Sequence, residues 1–197
     1  MNWRNPIRTL PISMPANERP TVVSASREIA ASAGRIFELI ADPAQQPRWD
    51  GNDNLAEAAS GQRVHSVGDV FIMTLTGGSL RENHVVEFEE GRRVAWRPAE
   101  LGQEPPGQLW VWELEPIEPS RTRVTHTYDW SHLTDETRLS RARATTAQKL
   151  RASLDRLAAI AENECRASSS TSPLSVRPTV RNRSICASHA PVDDLWT

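Results

Sequence analysis

From Asp53 to Trp130 apolar residues recur at every second position, and on either side of that stretch they recur at helical spacing. The chain therefore predicts strands in the middle, bracketed by helices. TVVSASREI, beginning at Thr21, reads as a first strand. ASAGRIFELIAD follows with Ile36, Phe37, Leu39 and Ile40 on one face, Ser32 as N-cap and Pro43 as stop. Asp42 can cap a second short helix that takes Pro43 at its first position and Trp49 as its anchor. Six further strands are predicted, at NLAEAAS, VGDVFIMTLT, LRENHVVEFEE, RRVAWR, GQLWVWELEP and RTRVTHTYDW. Gly77-Gly78 suits a two-residue hairpin turn, and Pro98 to Gly107 reads as a stiff proline-rich loop outside any strand. A last helix is expected from Thr134, its N-cap, to about Glu164, with Leu139, Ala142, Ala147, Leu150, Leu154, Leu157 and Ala161 as its stripe.

The flanks differ in style. Residues 1–20 carry four prolines and predict a polar extended arm; residues 166–197 are rich in Ser, Thr and Pro, lack a period, and predict a disordered tail. One domain is left, residues 21–165. Its alternation of elements is that of an α+β fold. With 197 residues and two cysteines, Cys165 and Cys186, the chain shows no disulfide framework and no metal-ligand spacing. The N-terminus has no apolar signal core, and no run approaches the roughly 18 apolar residues of a membrane span. A cytoplasmic location is the expectation.

Charge removes further classes. The net charge is −2, with acids and bases interspersed, so nothing concentrates a basic stripe for nucleic acid. Of 23 basic residues only Lys149 is a lysine, a bias that fits a GC-rich genome and leaves little scope for Schiff-base chemistry. There is no HExxH, CxxC, GxSxG or phosphate-cradling glycine loop, and His65, His84, His126 and His132 are scattered. Neither a metal nor a cofactor is expected.

The inward faces of the strands carry the candidate chemistry. Along RVTHTYDW one face collects Val124, His126, Tyr128 and Trp130; the preceding strand offers Trp110, Trp112 and Leu114. In LRENHVVEFEE the more apolar face holds Leu80, Glu82, His84, Val86 and Phe88, whereas the opposite register would turn Arg81, Asn83, Val85 and Glu87 inward. Aromatic rings with a few polar groups are the composition of a small-molecule site, although tryptophans in a small sheet also fill cores. A buried Glu82 needs a partner, for which His84 or Arg97 is available.

SREIAASAGRIFELIADPAQQPRWDG, ENHVVEFEEGRRVAWR and WVWELEPIEPSRTRVTHTYDW, in this order, resemble the bacterial polyketide cyclase/dehydrase and lipid-transport group of the START-like (SRPBCC) superfamily. The resemblance covers roughly residues 21–164. It implies a helix-grip fold, in which a curved antiparallel sheet of about seven strands wraps a long C-terminal helix, with two short helices after the first strand. It also implies a pocket for a small hydrophobic, lipid- or polyketide-like molecule between sheet and helix. Glu82, His84, Val86, Trp110, Trp112, His126, Tyr128 and Trp49 are the candidate ligand contacts. His126 and Tyr128 are the catalytic candidates if the protein is instead a cyclase, aromatase or dehydrase, with His126 taking a proton from an acidic methylene and Tyr128 holding the carbonyl oxygen. A third class, a co-chaperone-like or toxin-like interaction module, predicts a filled interior and an exposed apolar patch. A monomer or a homodimer is expected.

Overall fold

The structure is a computed structural model that describes residues 20–170, with side-chain surroundings through residue 163. The sequence-predicted arm and most of the predicted tail lie outside the described residues. Seven antiparallel strands form one open sheet in the order β1-β7-β6-β5-β4-β3-β2. They are β1 (Val22–Ile29), β2 (Leu55–Glu57), β3 (Val70–Leu75), β4 (Leu80–Glu89), β5 (Arg93–Ala99), β6 (Leu109–Glu118) and β7 (Arg121–Asp129). Four α-helices accompany it: α1 (Ala33–Ala41), α2 (Gln46–Trp49), α3 (Leu139–Arg143) and α4 (Ala147–Ser170). This is the helix-grip architecture that the resemblance implied, with the α+β class that the alternation of elements predicted.

Local chemistry sets the ends of the helices. The Ser32 side chain accepts from the Arg35 N–H and caps α1. Asp42 accepts from the Ala44 N–H and starts a 3-10 turn, Pro43–Gln45, that leads into α2. At the far end of α2 the Trp49 indole N–H donates to the Leu39 carbonyl at 2.7 Å, which locks α2 onto α1.

The predicted final helix is two helices. A 3-10 turn at Glu136–Arg138 leads into α3, and the chain breaks at Ala144–Thr146 before α4 begins. The cause is a pair of threonines: Thr145 Oγ1 donates back to the Arg141 carbonyl, and Thr146 Oγ1 accepts the Lys149 N–H as an N-cap does. The backbone of α4 runs on to Ser170, six residues past the expected end.

The core has two parts. In the larger, Leu154, Leu157, Ala158 and Ala161 of α4, none of them exposed, meet Ile29, Ile36, Phe37, Trp112 and Val124. In the smaller, Leu150 and Ala142 cover Tyr128 and Trp130. Ala147, placed in the stripe by its spacing, is exposed because the break before α4 turns it to solvent.

Two strand details depart from the sequence reading. Pro98 and Ala99 belong to β5, where Pro98 pairs with Asn83 of β4. Proline is tolerated there because β5 pairs with β6 only from Arg93 to Trp96, so its missing N–H breaks no ladder on that side. The hairpin between β3 and β4 has a three-residue loop, closed by the Leu75 N–H to the Ser79 carbonyl, with Gly78 at φ 80° supplying the left-handed residue such loops use.

The loop after α2 lies directly against α4. A Cβ on Gly51 would stand 2.3 Å from the carbonyl carbon of Ala152, and the Gly51 N–H donates to Ser153 Oγ at 3.0 Å. Gly51→Ala is expected to lower stability by about 1–3 kcal/mol or more, since backbone and not a flexible side chain must yield. Gly77→Ala, with open space around it, is the control and is expected to change little. Urea midpoints of the two variants check this.

Candidate functional site

Between the sheet, α2, α3 and the first turns of α4 lies a cavity of about 450 Å³. One wall is a block of rings set by cross-strand register. Tyr128 pairs with Trp110 and His126 with Trp112, so opposite side chains meet on the inner face. Trp112 and His126 stack with ring centroids 3.7 Å apart and an interplanar angle of 12°, and Trp110 lies 4.2 Å from Tyr128. Trp49 meets Trp112 edge-on at 5.0 Å. Met73 and Trp96 extend the apolar wall, while Ser153 of α4 and Asn83 of β4 put small or polar groups where larger side chains would close the space.

A polar relay holds the phenol. The Gln108 side-chain N–H donates to Tyr128 Oη at 2.6 Å, and the Gln108 carbonyl oxygen accepts from Arg138 at 3.3 Å, which fixes the amide's orientation. Arg138 in turn pairs with Glu100 at 3.1 Å and Asp135 at 3.0 Å. Because the phenolic oxygen accepts from Gln108, its own hydrogen is left over, and no acceptor for it lies among the described residues. Burial raises the Tyr128 pKa, opposed by the Gln108 hydrogen bond and the charges of Arg138 and Arg141. It is a neutral hydrogen-bond donor at neutral pH.

Of the residues singled out from sequence, the cavity brings together Trp49, Trp110, Trp112, His126 and Tyr128. Glu82, His84 and Val86 are not on its wall, which corrects the expected register of β4. Arg81 and Asn83 face the cavity and Val85 is buried in the core. Val86 is the extra residue of a bulge: Val85 pairs with Trp96 and Glu87 with Ala95, so nothing opposes it. The bulge lets Val85 and Phe88 both point inward, a combination neither strict register allows. Glu82 does find its neighbour on the outer face, with His84 Nε2 3.0 Å away, and it accepts the Gly102 N–H at 3.1 Å. Sequence reasoning missed Gln108, although it continues the alternation of Trp110 and Trp112, and Arg138, Arg141 and Ser153, which reach the cavity from a turn and from helices outside any alternating pattern.

Residues 20–162 match the family described as polyketide cyclase/dehydrase and lipid transport. The chain belongs to that family. It is thus START/SRPBCC-like, as its motifs in order implied. It is 32% identical over 114 residues to the uncharacterized protein Rv0088 of Mycobacterium tuberculosis (strain ATCC 25618 / H37Rv), a match covering 56% of this chain and 48% of that protein. The chain therefore spans about half the length of the curated relatives it matches. Among solved structures, it is similar to the Polyketide_cyc-like protein Cgl2372 of Corynebacterium glutamicum, with a TM-score of 0.52 at 16% identity over 75% of this chain and 94% of that one. The Aha1 dimer of Colwellia psychrerythraea gives a TM-score of 0.53 at 19% identity over 72% and 96%. At such identities the likeness is one of fold. Among the described residues no helix is long and apolar enough to cross a membrane.

The same cavity holds a strongly perturbed group. His126 is 5% exposed, its Nδ1 has no protein partner, and desolvation between the rings of Trp110 and Trp112 lowers its pKa to about 3. An unfolded chain takes up this proton below about 6.5, whereas the folded one resists until about 3. The unfolded state therefore binds more protons in that window, and stability falls as pH drops through it. Against His126→Phe, which cannot titrate, the wild type is expected to lose roughly 2–3 kcal/mol between about pH 7 and about pH 4.5. Denaturant unfolding of both proteins at the two pH values checks this; an unchanged gap would mean that the folded imidazole is already charged or exposed.

Proposed function

We propose that this protein binds a small hydrophobic or aromatic molecule, lipid- or polyketide-like, in the cavity between sheet and helices, for transport or sequestration. The observation that carries the reading is an open space of about 450 Å³ walled by Trp49, Trp96, Trp110 and Trp112. That volume lies within the usual range for ligand sites, and the four tryptophans give the cavity an aromatic wall beside its polar lining. A ligand burying about 200 Å² of apolar surface gains roughly 5 kcal/mol from leaving water. The phenolic hydrogen of Tyr128 supplies one orienting contact for an acceptor on it.

Two rivals fare less well. A cyclase or dehydrase using His126 needs an imidazole poised near the working pH, and burial has made this one a feeble base. An interaction module predicts a filled interior, which the cavity argues against.

Native mass spectrometry of freshly purified protein is expected to show a small molecule retained on the folded chain. Titration with the neutral fluorophore N-phenyl-1-naphthylamine is expected to give saturable binding at one site. Trp110→Ala, which removes a half-buried wall residue, is expected to weaken that binding about tenfold or more. Absence of saturable binding both of this probe and of its anionic counterpart 1-anilinonaphthalene-8-sulfonate, or equal affinity in the variant, would overturn the reading.

A further inference from the structure

The cavity's charge is unbalanced. Four cationic side chains, Arg81, Arg138, Arg141 and Lys149, line it against two carboxylates, Asp50 and Glu100. Both acids are already engaged. Asp50 accepts the backbone N–H groups of Asn52, Asn54 and Leu55, at 3.1, 2.5 and 3.0 Å, and Glu100 pairs with Arg138. No carboxylate among the described residues pairs with Arg81, Arg141 or Lys149; the one side-chain hydrogen bond of Arg81 is to the neighbouring Leu80 carbonyl. Arg81 is half-buried, and its pKa is lowered by desolvation and by the like charges of Arg138 and Arg141. Three guanidinium groups thus lie near one another on the lining of a cavity that four tryptophans also wall.

Like charges held together in a partly desolvated place are costly unless an anion joins them. A guanidinium is also the side chain that best matches carboxylate or phosphate oxygens. We propose that the ligand is an amphipathic anion, with its apolar body against the tryptophan wall and a carboxylate or phosphate head seated between Arg81 and Arg141, beside Arg138. The relay then has a second purpose. Glu100 and Asp135 neutralise Arg138 while it orients Gln108, so Arg81 and Arg141 remain the groups whose charge the ligand answers. Lys149, on the first turn of α4, adds a further positive charge to the same lining.

This inference rests on the binding reading above, and a matched pair of probes separates the two. N-phenyl-1-naphthylamine is the neutral counterpart of 1-anilinonaphthalene-8-sulfonate, which differs by one sulfonate. The anionic probe is expected to bind at least tenfold more tightly to the full chain at neutral pH. In Arg81→Gln with Arg141→Gln the ratio of the two affinities is expected to fall toward one, while Arg81→Lys restores part of it; circular dichroism checks the fold. If the double variant does not fold, Arg141→Gln alone is used, since Arg141 is exposed and makes no side-chain bond among the described residues. Displacement of the neutral probe by decanoate, decyl phosphate and 1-decanol reads the head group. Either anion acting at a tenfold lower concentration than the alcohol supports the proposal, and the tighter of the two names the head. Equal affinity for neutral and anionic probes would overturn the anion proposal and leave the binding reading standing. Binding of neither probe would overturn both.

Discussion

The burial of one stripe of α4 against β1, α1 and the inner face of the sheet is the contact on which the rest depends. Leu150, Leu154, Leu157, Ala158 and Ala161 leave at most 1% of their surface to water, and each buried leucine is worth roughly 1.5–3 kcal/mol. The helix has no comparable source of stability alone. Its seating also decides which of its rows looks elsewhere: Lys149 and Ser153, four residues apart on one face, turn to the cavity. A helix gripped by its apolar stripe thus carries a polar row over the hollow half of the sheet.

The hollow itself follows from how rings pack across antiparallel strands. Trp110 with Tyr128 and Trp112 with His126 form a block of rings along the inner face, and α2 meets it through Trp49. Beside the rings, the polar groups Gln108 and Arg138 are held to Tyr128 and to Glu100 by hydrogen bonds and an ion pair. Aromatic rings and cationic side chains lining one cavity are the physical content of the site. Isolation of His126 between two indoles makes it a polar atom set in an aromatic surface and not a titrating group at neutral pH.

Much of the scaffold was legible in the chain because periodicity is a local property. The seven strands, the Ser32 and Asp42 caps and the inner face of β7 each follow from residues adjacent in sequence. Half of the site was legible for the same reason, since Trp110, Trp112, His126 and Tyr128 share the inner face of two neighbouring strands. The face of β4 was not. Its alternation favours Glu82, His84 and Val86, and only a bulge that pairing with β5 creates at Val86 makes the other face the inner one. The long final helix failed at Thr145 and Thr146, where side-chain bonds to the backbone competed with a pattern that otherwise continued.

By itself the sequence determined the order and type of the elements and the aromatic content of one wall, because these depend on spacing along the chain. Tertiary structure alone decided that a space remains, that three arginines from β4, α3 and the turn before it lie near one another on its lining, and that Gln108 and Arg138 reach Tyr128. The reason is that strand register and helix seating bring Gln108 to Tyr128 across 20 residues and Arg81 to Arg138 and Arg141 across 57 and 60, a range in which no local pattern carries information.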